Sequence, residues 1–185
     1  GNVPQIIGIV GAVLAIITMI YGFAMYFPQK DMKKLLAYST ITQLSYIFLA
    51  LSISILGSQL AFNGAVMHIF NHAFAKSLFF LVAGALAFTT GTRMLPNLRG
   101  VMKKLPLIGI CFAVAALAVT GVPPFNAFFS KFSIFAGGFE AAQTNPWLYA
   151  LVVIAILESV GSFAWIFWVF SGAVPGEPSD EVTAS

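Results

Sequence analysis

The sequence predicts an all-α fold, a polytopic transmembrane helix bundle with one helix broken by proline, and three observations lead there. Of 185 residues, 59% are hydrophobic and only 8% charged, and the mean hydropathy is +0.95, far from the composition of a water-soluble domain. Apolar runs of membrane-spanning length recur along the chain. One of them is interrupted by "TGVPPF", where Pro123 and Pro124 cannot continue a helix.

A spanning helix needs about 20 apolar residues. Segments 6–27, 35–56, 62–88, 105–120 and 147–171 qualify or nearly do, while 125–141 is apolar but short. Residues 105–141 therefore read as either two short helices or one broken helix. Irregular backbone at membrane depth persists only under protein or beside a water-filled cavity, so the break is expected to face inward. Residues 1–172 make up the bundle. Residues 173–185, with the acidic, turn-rich "PGEPSDEVTAS", are expected as an exposed polar tail or connection. The chain opens on Gly1 and enters its first span almost at once, which reads as a piece of a longer polypeptide.

The basic residues are concentrated in two loops. Lys30, Lys33 and Lys34 lie in the first and Arg93, Arg99, Lys103 and Lys104 in the third, while residues 57–61 carry no charge. The positive-inside rule makes the first and third loops cytoplasmic and puts the amino terminus outside. The side of the tail depends on how the broken segment crosses. A net charge of +3 placed this way gives little support to nucleic-acid binding. The single Cys111 sits in an apolar run, allows no disulfide framework and reads as packing.

The stretch "MHIFNHAFAKSLFFLVAG" puts three protonatable groups where lipid is expected. His68, His72 and Lys76 follow i, i+4, i+8 spacing, so they stack along one helical face, drifting about 40° and climbing about 6 Å per step. Groups a few ångströms apart and linkable by water are what a proton relay needs. The plainer reading is two satisfied core histidines and a lysine that snorkels, but a long apolar run follows Lys76. A metal shared by the two histidines is a further reading. It lacks an obvious third ligand, and the lysine would repel a cation.

Lys131 follows the proline break, either as a functional group or as a helix-end lysine reaching for water. Glu158 lies mid-span in "VVIAILESVGSF", either as counter-charge to a lysine or filling a polar notch between helices. Glu140 reads as a solvated end residue, and Asp31 as a surface partner of Lys30 or Lys34. Lys33 and Lys34 read by themselves as topology determinants. No nucleotide-binding glycine pattern, CxxC pair or haem motif occurs, so no cofactor and no metal is expected on this chain.

"KDMKKLLAYSTITQLSYIFLAL", "MHIFNHAFAKSLFFLVAG" and "LPLIGICFAVAALAVTGVPPFNAFFSKFSIF", in that order, resemble the carboxyl-terminal half of the core domain of antiporter-like subunits. Such subunits occur in respiratory complex I, membrane-bound energy-converting hydrogenases, formate hydrogenlyase and multisubunit cation/proton antiporters. The resemblance implies a larger subunit with two inverted repeats, each with a broken helix and a half-channel, of which this chain holds most of the second. It matches Lys76 to the central-axis lysine, with His68 and His72 before it, and Lys131 to the position beside the broken helix. Lys33 matches a lysine on the cytoplasmic side of the path. Phe132 stands where many complex I subunits carry an acidic residue, which leaves Glu158 as the expected partner of Lys131.

The expected function is proton translocation along His68, His72 and Lys76 to Lys131, and then outward, with no covalent chemistry on this chain. The expected partners are the other membrane subunits of a multisubunit complex, the lipid bilayer and, indirectly, peripheral redox subunits, in the inner (cytoplasmic) membrane. The alternative is a secondary cation (Na+)/proton antiporter subunit without a redox partner.

Overall fold

The computed structural model describes residues 3–173 and 175–184. Eight α-helices follow one another among them: α1 (Gln5–Ala24), α2 (Met32–Ile55), α3 (Gln59–Thr90), α4 (Val101–Lys104), α5 (Pro106–Thr120), α6 (Asn126–Ala142), α7 (Leu148–Ala173) and α8 (Asp180–Thr183). Of these, α1, α2, α3 and α7 are long and apolar enough to cross a membrane. The described residues contain no strand, only an isolated antiparallel bridge between Asp31 and Met94.

Local chemistry sets the helix ends. α2 begins at Met32, ahead of the expected 35, because the Asp31 carboxylate accepts from the Lys33 and Lys34 backbone N–H groups at 2.8 and 3.3 Å. α3 starts at Ser58, whose hydroxyl accepts from Ala61 N at 3.1 Å, and stops at Gly91, which takes a left-handed φ of 69°. α5 opens on Pro106 and ends at Gly121, φ 78°, where a side chain would be strained. The chain then turns through Pro123–Pro124 into α6.

α5 and α6 lie end to end along α3 and run against it. Ala61 meets Gly137 and Gly64 meets Ile134; His68 meets Ser130; Asn71 meets Asn126; and Phe79 meets Phe112. At 1.5 Å per residue the 32 residues of α3 cover about 48 Å, and the 15 of α5 with the 17 of α6 cover nearly the same length. Residues 105–141 thus make one traverse from two helices, and the break falls level with the His72–Lys76 turn. The α3–α6 approach requires glycine. A Cβ on Gly64 would lie 2.8 Å from Ile134 N, and one on Gly137 would collide with the Ala61 backbone.

The traverses alternate, so the first and third loops share one end. There Met32 N donates to Arg93 O at 3.0 Å and Leu95 N to Lys30 O at 2.8 Å. Asp31 pairs with Arg93 at 3.5 Å rather than with the expected Lys30 or Lys34, because this bridge brings Arg93 alongside it. The tail returns to the same end. Ser179 N donates to Arg99 O at 3.1 Å and the Ser179 hydroxyl to Asn97 O at 2.6 Å, while Lys103 pairs with Glu177. Glu177 and Asp180 are exposed, whereas Val182 on α8 is buried. At the opposite end the Ser58 hydroxyl donates to the exposed Glu140 at 2.8 Å.

Thiols introduced at Lys103 and Glu177 of the full-length subunit in native membranes should be labelled from one face, and thiols at Ser58 and Glu140 from the other. Labelling of Lys103 and Glu177 from opposite faces would overturn this chain path. Gly137→Leu should separate α3 from α6 at a cost of about 1–3 kcal/mol. The expected readout is a lower thermal midpoint of the purified complex, and an unchanged midpoint would contradict the close approach.

Candidate functional site

Two apolar clusters fill the two ends of the bundle. Met32, Phe79, Leu86, Leu98, Phe112 and Val182 belong to the one at the basic loops, and Ala12, Leu49, Ile53, Ala61, Ala141 and Leu148 to the other. Between them, at the level of the helix break, lie buried polar groups: Thr42, Gln43, His68, Lys76, Thr120, Ser130, Lys131, Glu158 and Ser162. Buried polar groups at this depth are costly without partners, so their bonding defines the site.

His68 is 1% exposed and both ring nitrogens are engaged, Nδ1 with Ser130 Oγ at 2.8 Å and Nε2 with Gln43 Oε1 at 3.0 Å. Ser130 also donates to Ala127 O at 3.1 Å. The arrangement serves the imidazole in two states. Protonated at both nitrogens, His68 donates to Gln43 and Ser130; neutral, it keeps Nε2–H on Gln43 and accepts at Nδ1 once the Ser130 hydroxyl turns. His72 is half-buried and stacks on His68 with ring centroids 6.1 Å apart. It is also within electrostatic reach of both Lys76 and Lys131. Stacked rings with His68 already bonded on both sides do not converge on a shared ion, which opposes the metal reading. The described residues contain no group of three His, Cys, Asp or Glu side chains that could hold a metal.

Lys76 is buried, and its Nζ donates to the Leu36 carbonyl at 3.0 Å. Lys131, 3% exposed, donates to Thr120 O at 3.2 Å and Ser159 Oγ at 3.1 Å, with its ammonium 4.6 Å above the Tyr46 ring. Thr120 is the last residue of α5, so this carbonyl is one the helix leaves unpaired, at the negative end of its dipole. A cleft of about 320 Å³ lined by Thr120, Lys131, Phe135 and Ser159 opens beside it.

The direct Lys131–Glu158 pair expected from the sequence does not form. The ion pairs among the described residues are Asp31–Arg93 and Lys103–Glu177. On α7 it is Ser159 that reaches Lys131. Glu158, about 100° around the helix, accepts instead from Tyr46 Oη and Ser162 Oγ. Its charge and that of Lys131 still act on each other. Tyr46 Oη also lies 2.9 Å from Ala155 O. One hydroxyl proton cannot serve both acceptors fully. As a carboxylate, Glu158 takes it; as a carboxylic acid, Glu158 donates to Tyr46 Oη, which is then free for Ala155.

The structure thus buries His68, Lys76, Lys131 and Glu158, with His72 half-buried, inside the bundle, but leaves Lys33 apart. The Lys33 side chain is exposed at the start of α2 and its backbone N–H serves the Asp31 cap. Tyr46, Gln43, Ser130, Ser159 and Ser162 join the site without having been singled out in the sequence. The available signal was "TQLSY", which sets polar side chains on one face of an otherwise apolar span.

Residues 3–159 match the family described as NADH:quinone oxidoreductase/Mrp antiporter, TM. The chain belongs to this family. It is the family that the three motifs resemble. Over 171 residues, 91% of its length, the chain is 36% identical to NADH-quinone oxidoreductase subunit L of Escherichia coli (strain K12), covering 27% of that protein. Over 155 residues, 84% of its length, it is 34% identical to subunit N from Desulforudis audaxviator (strain MP104C), covering 29% of that protein. A chain in the structure of the Mrp complex from Dietzia sp. DQ12-45-1b superposes on 93% of it with a TM-score of 0.83 and 26% identity, and 31% of that chain is covered. The chain therefore spans less than a third of each of these matches. All three similarities place it with the antiporter-like membrane subunits of multisubunit complexes.

Tyr46→Phe keeps the ring beneath Lys131 and deletes the hydroxyl that reaches Glu158. It should lower the stability of the purified complex by about 1–3 kcal/mol, the cost of a buried polar partner left unpaired. Tyr46→Ala should cost more because it also removes the ring. Thermal denaturation of the two variants checks the order, and an unshifted Tyr46→Phe midpoint would contradict the Tyr46–Glu158 bond.

Proposed function

We propose that the chain carries part of a proton path across the inner (cytoplasmic) membrane, in a subunit driven by redox chemistry in partner subunits of a complex I-like or energy-converting hydrogenase complex. The single observation that carries the reading is the hydroxyl partnering of the buried titratable groups. His68 has Ser130, Lys131 has Ser159, and Glu158 has Tyr46 and Ser162. Each can gain or lose a proton while a hydroxyl rotor turns to keep it bonded, which a purely structural polar contact does not require.

On this reading protons collect at His68, His72 and Lys76 and pass to Lys131, with Glu158 adjusting the charge beside it through Tyr46. A change of charge in an adjoining subunit would load or unload the lysines. The energies are commensurate, since one charge moved against 100 mV corresponds to about 2.3 kcal/mol, less than two pKa units at about 1.4 kcal/mol each. Lys33, exposed at the basic loops, lies outside this bonded set and would act only at a cytoplasmic entry. Identity to the two NADH-quinone oxidoreductase subunits supports redox coupling. The likeness to the Mrp complex supports the alternative of cation/proton exchange without a redox partner.

In the full complex reconstituted into vesicles, Lys76→Ala and Lys76→Arg should both abolish proton transport while leaving assembly intact. Arginine keeps the charge but does not release its proton. Full transport in Lys76→Ala would end this reading. The subunit composition of the native complex decides between the coupled and uncoupled forms.

A further inference from the structure

Tyr46 stands between two charged groups that do not meet. Its side chain is buried, its hydroxyl reaches the Glu158 carboxyl, and the Lys131 ammonium lies 4.6 Å above the face of the same ring. Packing holds the ring in place. His68 is tilted against it with centroids 6.1 Å apart, and Phe135 meets it edge-on at 5.9 Å. The hydroxyl has a second acceptor in the Ala155 carbonyl at 2.9 Å. Since that carbonyl can only accept, Tyr46 carries no proton onward, and its place between Glu158 and Lys131 has another reason.

The two faces of a phenol supply it. A ring attracts a cation through the negative charge on its face. That charge depends on the hydroxyl, because hydrogen-bonded groups polarise one another. When the hydroxyl donates to an ionised Glu158, electron density is pushed into the ring and the ammonium above it is held more firmly. When Glu158 is a carboxylic acid and donates to Tyr46 Oη, density is drawn out of the ring and the hold weakens. Ser162 anchors Glu158, while Thr120 O and Ser159 anchor Lys131, so neither side chain has to move for the other to respond.

We propose that Tyr46 is a positioning residue that couples the two sites electronically: its hydroxyl senses whether Glu158 carries a proton, and its ring face passes that state to the Lys131 ammonium. The proposal rests on the proton-path reading above and adds an order of events to it, in which the Lys131 proton leaves more readily once Glu158 has taken one up. The direct attraction between the two charges acts in the same sense. Tyr46→Phe separates the two contributions, because phenylalanine keeps the ring beneath Lys131 and lacks the hydroxyl.

The test is proton transport per assembled complex in vesicles. Tyr46→Phe should slow it about fivefold, equivalent to about 1 kcal/mol. Glu158→Gln should slow it at least as much, and adding Tyr46→Phe to Glu158→Gln should cost nothing further, since no carboxyl is left to sense. Fluorotyrosine placed at residue 46 keeps the hydroxyl but draws charge from the ring face. It should slow transport as well, whereas a merely structural hydroxyl would leave the rate unchanged, and it carries the test if Tyr46→Phe does not assemble. The vibrational bands of Tyr46 that distinguish a donating from an accepting hydroxyl should shift in Lys131→Met, although that substitution touches neither the hydroxyl nor its acceptors, because a coupling between two sites is reciprocal. Unmoved bands would overturn the proposal. Wild-type transport in the fluorotyrosine form, or additive losses in the double variant, with transport abolished in Lys76→Ala, would remove the coupling and leave the path standing. Transport that survives Lys76→Ala would remove both.

Discussion

The contact between the Lys131 ammonium and the carbonyl end of α5 is the interaction on which the rest of the arrangement depends. A buried cation with no carboxylate in contact needs another source of negative potential, and a helix terminus provides it. Gly121 stops α5 where it does, so Thr120 keeps a carbonyl free for Lys131. Had α5 run on into α6, that carbonyl would be spent within the helix. The Tyr46 ring below and Ser159 beside complete the cradle, which draws on four helices at one level.

That level is insulated from both ends. The two apolar clusters flank it, and the glycine contacts between α3 and α6 leave no side-chain layer between those helices. In such surroundings each polar group interacts strongly with its neighbours, and a misplaced partner is correspondingly costly. The bonding of His68, Lys131 and Glu158 to hydroxyls keeps the site satisfied in more than one protonation state.

Much of this was legible in the sequence because lipid makes severe demands. Helices were readable because a backbone in hydrocarbon must bond within itself, and His68, His72, Lys76, Lys131 and Glu158 stood out because such groups are rare there. The hydroxyls did not stand out. Many in this chain bond their own preceding turn, as Thr40, Ser45 and Ser52 do, and nothing in the sequence separates these from Ser130 or Ser159, which reach across. The difference lies in how each helix is rotated about its axis. The same rotation undid the expected Lys131–Glu158 pair, since nearness along the chain brings α6 to α7 but leaves open whether residue 158 or 159 faces the lysine. Lys33 matched a motif yet stayed at the surface, because the Asp31 cap holds the start of α2 there.

The loops at the basic end are joined by main-chain bonds, 30–32 to 93–95 and 97–99 to 179. In mechanical terms they act as a single clamped plate into which α1, α2, α3, α5 and α7 are anchored. A load applied anywhere on that plate is shared by all of them, and the helical rods resist bending along their length. Among the described residues the traverse made by α5 and α6 is cut at residues 121–125, so it resists bending least there, and that joint sits beside the Lys131 amine.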